Sequence, residues 1–286
     1  MIEVLDLNHQ QYPPLLLEID NNPKQLYFLG TISDWTKPHI AIVGTRKATR
    51  EGLSIARMFA RELASYGCVI VSGLALGIDA AAHEGALEAH GKTIAVLGNG
   101  LTSIYPRQHE SLAKKIIETG GCIFSEYTKD TPAYPNQFLE RNRIVAGISS
   151  ATLVIEAPIR SGSIATARLA IESGRDVFVI PGPINNKNYE GSHALLRNGA
   201  RLVTSSKDIF DDLDIQKEVN IKNNFSSDDL VSNAIIETLQ TSSNPMGVDT
   251  IIEITHLEPR KVQETLTLLA LDDVIRDVGG KFILTQ

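Results

Sequence analysis

The segment from Ile40 to Gly100 constrains the fold more than any other part of this 286-residue chain. It holds three short apolar runs, Ile40–Val43, Val69–Val71 and Ile94–Leu97, and a glycine follows each run within two residues. Apolar runs without polar alternation are typical of strands that are buried on both faces of a parallel sheet. Because the carboxyl ends of parallel strands share one edge, we expect the glycine turns to meet there and form an anion-binding groove.

The rest of the chain follows the same alternation of strand and helix patterns, which predicts a doubly wound, mostly parallel α/β sheet with right-handed crossovers. We assign residues 1–39 to a lead-in segment and residues 40–213 to the sheet domain. The polar stretch 214–228 is the best linker candidate. Three helical patterns and a hairpin around Gly279-Gly280 follow in residues 229–286, which is typical of a small winged-helix domain.

The net charge of −7 is unfavourable for nucleic-acid binding until it is divided between the domains. From Asp214 onward there are 12 acidic and 6 basic residues, so this part carries −6. The preceding part has 22 acidic and 21 basic residues and carries −1. The sheet domain is therefore close to neutral and can hold a local basic patch.

The sequence lacks the signals of a membrane or secreted protein. It has no apolar run of about 18 residues, and its first residues lack the basic and apolar regions of a secretory signal. Cys68 and Cys122 lie beside or within predicted strands, so we expect two buried thiols and no disulfide. No Cys or His spacing indicates a metal site, and we expect a cytoplasmic protein without a bound metal.

The first glycine turn is the strongest candidate for phosphate binding. Gly44-Thr45-Arg46 is followed by Lys47 and then by a predicted helix, whose first amides and dipole attract anions. The turns at Gly73 and Gly98 lie at the same predicted edge. A tight turn with solvated charges is the alternative reading of the same residues.

Two later segments add candidate binding groups. Ser161-Gly162-Ser163, with Thr166, begins a helix and either caps it or forms a second anion site. In Phe138–Arg143, the arginines can pair with phosphates and the phenylalanine can stack on unpaired bases. The alternative is that Phe138 belongs to the core and the arginines pair with acids such as Glu140.

Nucleotide cofactors are not expected. No GxGxxG follows the first strand, and Ser72-Gly73 stands where a ribose-binding acid would follow the second. A GxxxxGK[ST] loop is also missing from the sequence, so neither NAD nor ATP is predicted to bind.

Taken together, several segments resemble the DNA-processing protein A (DprA, also called Smf) family. The resemblance spans about residues 12–203 and is carried, in this order, by Ile42–Arg46, Ser72–His83, Ala95–Leu101, Tyr105-Pro106, Phe138–Ser149, Val154–Ala157 and Ser161–Ser163. It implies an extended Rossmann-like domain, and many members carry a winged-helix domain like the one predicted here. Many members carry a helical domain before the segment that corresponds to Tyr12-Pro13-Pro14, and this chain starts almost at that segment, so we expect a short or a truncated form.

The resemblance also implies a function without catalysis. Such a protein would bind single-stranded DNA, protect incoming strands during natural transformation, load the RecA recombinase on them, and form a homodimer through the Rossmann-like domain. Gly44, Thr45 and Arg46 would hold phosphate, Phe138, Asn142 and Arg143 would lie along the strand, and Ser161–Ser163 would form a second phosphate site. We expect the acidic winged-helix domain to serve protein contacts or weak duplex binding.

The competing prediction is a nucleotide-processing enzyme of the lysine-decarboxylase-like group in the same Rossmann-like superfamily. Those enzymes carry a PGGxGTxxE motif. The corresponding stretch here, Arg160–Arg168, lacks the acid of that motif. A transcription factor that works through the winged helix is a third reading, which the acidic C-terminal domain disfavours.

Overall fold

A computed structural model describes residues 2–216, 230–240, 242, 244–271 and 274–284 of the chain. The chain divides into two compact units, residues 1–217 and 218–286. The linker predicted over residues 214–228 lies outside the described residues from position 217 onward. The division between the units falls within this predicted linker.

The first unit is built on one nine-stranded sheet, and the predicted mostly parallel α/β fold is confirmed. Its strands are β1 (Glu3–Asp6), β2 (Gln25–Gly30), β3 (His39–Val43), β4 (Val69–Ser72), β5 (Thr93–Leu97), β6 (Cys122–Ser125), β7 (Ala151–Val154), β8 (Asp176–Val179) and β9 (Arg201–Leu202). They are ordered β1-β2-β6-β5-β4-β3-β7-β8-β9. The seven strands from β3 to β9 pair in parallel, whereas β1 and β2 pair antiparallel at one end.

Helices connect the parallel strands and cover both faces of the sheet. They are α1 (Arg50–Ser65), α2 (Ile78–Glu88), α3 (Glu110–Glu118), α4 (Pro135–Gly147), α5 (Gly162–Glu172), α6 (Glu190–Arg197) and α7 (Ser206–Asp212). Helices α4, α5 and α6 pack on one face, and α1, α2, α3 and α7 pack on the other. Helix α7, which begins with a capping box at Ser205, was not predicted.

The central strand explains why the apolar runs lack polar alternation. All five residues of β3 are buried. Ala41 and Val43 pack with α4 and α5, whereas Ile40 and Ile42 pack with α1 and α2. Successive side chains of a strand point to opposite faces, so a strand covered on both faces needs apolar residues at every position.

The segment predicted as a separate lead-in, residues 1–39, contributes two strands to this sheet. Strand β2 pairs antiparallel with β6, with Tyr27 opposite Ser125. Leu16 and Leu26 are fully buried in the same core as α4 and α5. The described part of this segment therefore belongs to the same compact unit as residues 40–213.

The second unit matches the predicted helices and hairpin. It contains α8 (Leu230–Gln240), β10 (Met246–Gly247), α9 (Val248–Thr255), α10 (Pro259–Leu271), β11 (Ile275–Asp277) and β12 (Lys281–Leu284). The strands form a small antiparallel sheet in the order β10-β12-β11, of which the two-residue β10 was not predicted. Eight apolar residues from these helices and from β11 form a separate core.

Other sequence expectations concern membranes, thiols and metals. Within the described part of the chain, no helix is long and apolar enough to cross a membrane. Cys68 and Cys122 are both buried, and no disulfide joins them. The same residues contain no group of three or more His, Cys, Asp or Glu side chains that could hold a metal ion.

Candidate functional site

The candidate site lies where the strand order reverses. The chain runs from β3 outward through β4, β5 and β6, and then returns to place β7 on the other side of β3. The connections after β3 and β7 therefore leave in opposite directions, which opens a crevice at the carboxyl ends of these strands. A cavity of about 270 Å³ occupies this position.

Most of the predicted binding residues line this cavity. They come from the turns after β3 and β4, from α4 and from the first turn of α5: Gly44, Thr45, Arg46, Gly73, Phe138, Asn142, Ser161, Gly162, Ser163 and Thr166. The structure thus brings together segments that are up to about 120 residues apart in the sequence. Lys47, Gly98 and Arg143 do not line the cavity.

An aromatic and cationic cluster forms one wall. The Arg46 guanidinium lies 5.4 Å from the centroid of the Phe138 ring, which is a cation–π distance. The Tyr105 ring lies 5.1 Å from the Phe138 ring and is 46% exposed. Phe138 packs closely on Gly98, where a Cβ atom would stand 2.9 Å from the ring. Gly98 therefore supports the ring from outside the cavity.

The N-terminus of α5 forms another wall of the cavity. Ser161 caps this helix, and its hydroxyl accepts a hydrogen bond from the amide of Ile164 at 3.4 Å. The hydroxyls of Ser161 and Ser163 are 2.8 Å apart. The amides of Gly162 and Ser163 are in the first turn, where no intrahelical acceptor is available. With the helix dipole, these amides and hydroxyls offer a place for an anion.

Asn142 connects the two walls. It is buried on α4, and its side-chain amide donates to the carbonyl of Gly162 at 3.2 Å. The Thr166 hydroxyl donates to the same carbonyl at 3.1 Å. These bonds fix the start of α5 against α4, so the geometry of the anion site depends on both helices.

Arg141, one of the two arginines in the segment considered for phosphate pairing, is the buried cation of the site. It is 3% exposed, and its guanidinium donates to the carbonyls of Gly73, at 2.6 Å, and Val96. Burial lowers the pKa of Arg141 to about 10, so the group stays charged at neutral pH. Gly73 is required here because a Cβ atom would lie 2.4–2.5 Å from the guanidinium.

Asp79, in the first turn of α2, interacts with the positive charge of Arg141. Its carboxylate accepts hydrogen bonds from the amides of Gly73 at 3.1 Å and Ala75 at 3.3 Å. Burial raises the pKa of Asp79, while the charge of Arg141 and these two amides oppose that shift. Asp79 and Arg141 therefore fasten the turn after β4 to α4.

Arg143 lies on another face of α4 and forms an ion pair with Glu126. Phe138, Arg141, Asn142 and Val145 all line the cavity at the spacing i, i+3, i+4 and i+7, which is one face of a helix. Position 143 is five residues from Phe138 and falls outside that face. Arg143 does not line the cavity, and its predicted place along the DNA strand stays a prediction. Helical periodicity is the signal that distinguishes Arg141 from Arg143.

Two exposed cations stand at the mouth of the cavity. Arg46 and Arg160 both line it, and within residues 2–216 neither has a carboxylate partner within 4 Å. Arg160 directly precedes the Ser-Gly-Ser turn and was not selected from the sequence. Lys47 is exposed beside the cavity, and its carbonyl accepts a hydrogen bond from the Asn188 amide at 3.2 Å.

Comparisons with known proteins identify relatives of this chain. Residues 3–214 match the family profile of DNA recombination-mediator protein A, and residues 226–281 match the DprA winged helix domain. The chain is 46% identical over 202 residues to protein Smf of Escherichia coli, which covers 71% of this chain and 54% of that protein. The match thus spans about half the length of that relative.

Two solved structures share the fold. DNA processing protein A from Streptococcus pneumoniae aligns with a TM-score of 0.70 and 39% identity, over 73% of this chain and 74% of that one. The Helicobacter pylori protein aligns with a TM-score of 0.67 and 33% identity, over 76% of this chain and 98% of that one. The latter structure is described as giving insight into a single-stranded DNA binding mode.

Proposed function

Because this chain belongs to the DNA recombination-mediator protein A (DprA, or Smf) family, we propose that it binds single-stranded DNA in the cavity at the β3–β7 switch point. The observation that carries this proposal is the position of Arg46 over Phe138, in the same cavity as the start of α5. A base stacks on the aromatic wall, and a neighbouring phosphate binds the first-turn amides of α5.

This mode of binding depends little on base sequence. Every base has a π face that can stack on Phe138 or Tyr105, and a stacked base contributes about 1–3 kcal/mol. Phosphate contacts from Arg46, Arg160 and the α5 amides release counterions, so affinity falls steeply as salt rises. The nearly neutral sheet domain thus binds nucleic acid through a local patch rather than through net charge.

We further propose that the protein acts in natural transformation without catalysis, as a cytoplasmic homodimer that protects incoming strands and passes them to RecA. The residues lining the cavity include no histidine, and the hydroxyls of Ser161 and Ser163 bond to each other and to helix backbone. They are arranged for capping and anion binding rather than nucleophilic attack. The winged-helix unit is assigned to protein contacts or weak duplex binding.

The direct test is titration of a fluorescent oligodeoxythymidine, followed by anisotropy at two salt concentrations. Phe138→Ala is expected to weaken binding by roughly 5- to 160-fold, the equivalent of about 1–3 kcal/mol. Arg46→Ala is expected to weaken binding and to reduce the salt slope by about one. Arg61→Ala is the matched control, because Arg61 is exposed and does not line the cavity.

Two results would contradict the proposal. Unchanged affinity of the Phe138→Ala, Arg46→Ala double variant would mean that DNA binds elsewhere on the protein. Release of free base from nucleoside monophosphates would favour the nucleotide-processing alternative. The RecA and homodimer proposals have their own tests, which are the rate of RecA filament assembly on protein-bound DNA and the mass of the free protein by light scattering.

A further inference from the structure

A buried carboxylate lies beside the proposed DNA site, and the function proposed above does not use it. Glu156 follows β7 and is completely buried. Its carboxylate accepts hydrogen bonds from the Thr49 amide at 3.0 Å, the Thr49 hydroxyl and the Asn188 side-chain amide at 2.8 Å. The Tyr189 hydroxyl lies 3.5 Å away. Every neighbour can donate, so the site is built for an anion.

This carboxylate lies at the N-terminus of α1. Thr49 caps that helix, and its hydroxyl accepts a bond from the Gly52 amide at 2.9 Å. Gly52 allows the close approach, because a Cβ atom there would lie 2.5 Å from the Glu156 carboxyl carbon. The backbone of Glu156 also takes part, since its carbonyl accepts from the Thr45 amide at 2.7 Å.

In dinucleotide-binding folds, a ligand phosphate lies at the helix N-terminus that corresponds to the one beside Glu156. There, the helix after the first central strand directs its N-terminus at a pyrophosphate, and glycine lets the backbone come close. In this chain, α1 follows the central strand β3, and its first turn likewise contains a glycine. Its N-terminus is capped by Thr49. The anion that this N-terminus receives is a side chain of the protein.

We infer that Glu156 is a built-in substitute for a ligand phosphate, which closes the α1 N-terminus to nucleotides and fixes the turn that carries Arg46. Glu156 is thus a positioning and specificity-determining residue. By filling the first helix N-terminus, it leaves the N-terminus of α5 as the open anion site. The claim that Glu156 positions the Arg46 turn for binding rests on the proposed DNA binding. The claim that Glu156 takes the place of a phosphate is independent of it.

The experiment is chemical rescue of Glu156→Ala by inorganic phosphate, measured as the melting temperature. Loss of charge-assisted hydrogen bonds in a buried site is expected to lower the melting temperature by about 5–10 °C. Millimolar phosphate should enter the vacated place and restore at least about 2 °C relative to sodium chloride at equal ionic strength. The wild-type protein should show no such gain.

Val154→Ala is the matched control. Val154 is fully buried in β7, so its truncation destabilises the same strand without vacating an anion site. Phosphate should not restore its melting temperature. Equal gains for both variants, or no gain for Glu156→Ala, would overturn the inference. If Glu156→Ala does not fold in chloride, recovery of folded protein upon refolding in phosphate replaces the melting measurement.

Glu156→Gln keeps the volume and removes the charge, so it tests positioning in a variant that is expected to fold. Its amide group would face donors at Thr49 or Asn188, and we expect a lower melting temperature and several-fold weaker oligodeoxythymidine binding. Wild-type values for both would overturn the inference. If the wild-type protein does not bind the oligonucleotide, the proposed function fails while the phosphate rescue result still stands or falls by itself.

Discussion

The N-termini of α1 and α5 share the same capping pattern, but they differ in their surroundings. The first turn of α5 lines the cavity, and that of α1 does not. Each follows a strand at the switch point, each is capped by a hydroxyl residue, Thr49 or Ser161, and each has glycine in its first turn. At α1 the buried Glu156 carboxylate accepts hydrogen bonds from the capping Thr49. At α5 the first turn faces the cavity. Under the proposed function, a helix N-terminus becomes a ligand site only when the rest of the fold leaves it empty.

The largest expected effect comes from giving α5 a carboxylate of its own. Gly162 is exposed, and a Cβ atom there would only touch the Asn142 amide at 3.5 Å, so a side chain fits. Gly162→Asp should weaken oligodeoxythymidine binding by roughly 30-fold or more, about 2 kcal/mol, because an acid now occupies the phosphate position. Its melting temperature should not fall, since an acid in the first turn favours the helix.

Gly162→Ala is the control for this change, because it adds a carbon without a charge. Its affinity should stay close to that of the wild-type protein. Comparable losses in the two variants would mean that space, rather than charge, limits binding at α5.

The two capping residues provide a second contrast. Thr49→Ala removes a cap and a hydrogen bond to Glu156, and should cost about 2 kcal/mol, or 4–8 °C in melting temperature. Ser161→Ala should cost about 1 kcal/mol in stability and should also weaken DNA binding about threefold. Thermal melting and anisotropy on both variants measure the contrast, which is lost if the two variants lose stability and affinity in equal proportion.

A smaller effect is expected when one amide of α5 is removed. Proline is well tolerated at the first position of a helix, and Ser161 already has the extended conformation that precedes proline comfortably. Gly162→Pro should therefore keep the melting temperature and weaken DNA binding about three- to fivefold through loss of one N–H donor. An unchanged affinity would show that this amide does not contact phosphate.

Arg143 offers a change that separates stability from binding. Because Arg143 pairs with Glu126 and does not itself line the cavity, Arg143→Ala leaves a partly buried carboxylate unpaired. We expect a lower melting temperature with oligodeoxythymidine affinity within about twofold of the wild-type value. A tenfold loss of affinity at an unchanged melting temperature would show that Arg143 contacts DNA.

The helices and strands were largely readable from the sequence because each rule involved is local. Apolar runs ending in glycine predicted the parallel strands, and a hydroxyl residue before an apolar pattern predicted the start of α5. The antiparallel strand β2 could not be placed, since its partner β6 is about 95 residues away. Arg141 was not distinguished from Arg143, because the arginines of α4 were considered by composition rather than by helical face.

By itself, the sequence determined that this chain forms a doubly wound sheet with glycine turns at one edge, because burial on both faces requires continuous apolar strands. It could not determine which of the two helix N-termini stays open. That was decided by a contact between Thr49 and Glu156, which are 107 residues apart in the chain. Helix capping follows from neighbouring residues. The contact between the capping Thr49 and the distant carboxylate of Glu156 forms only after β3 and β7 have paired side by side.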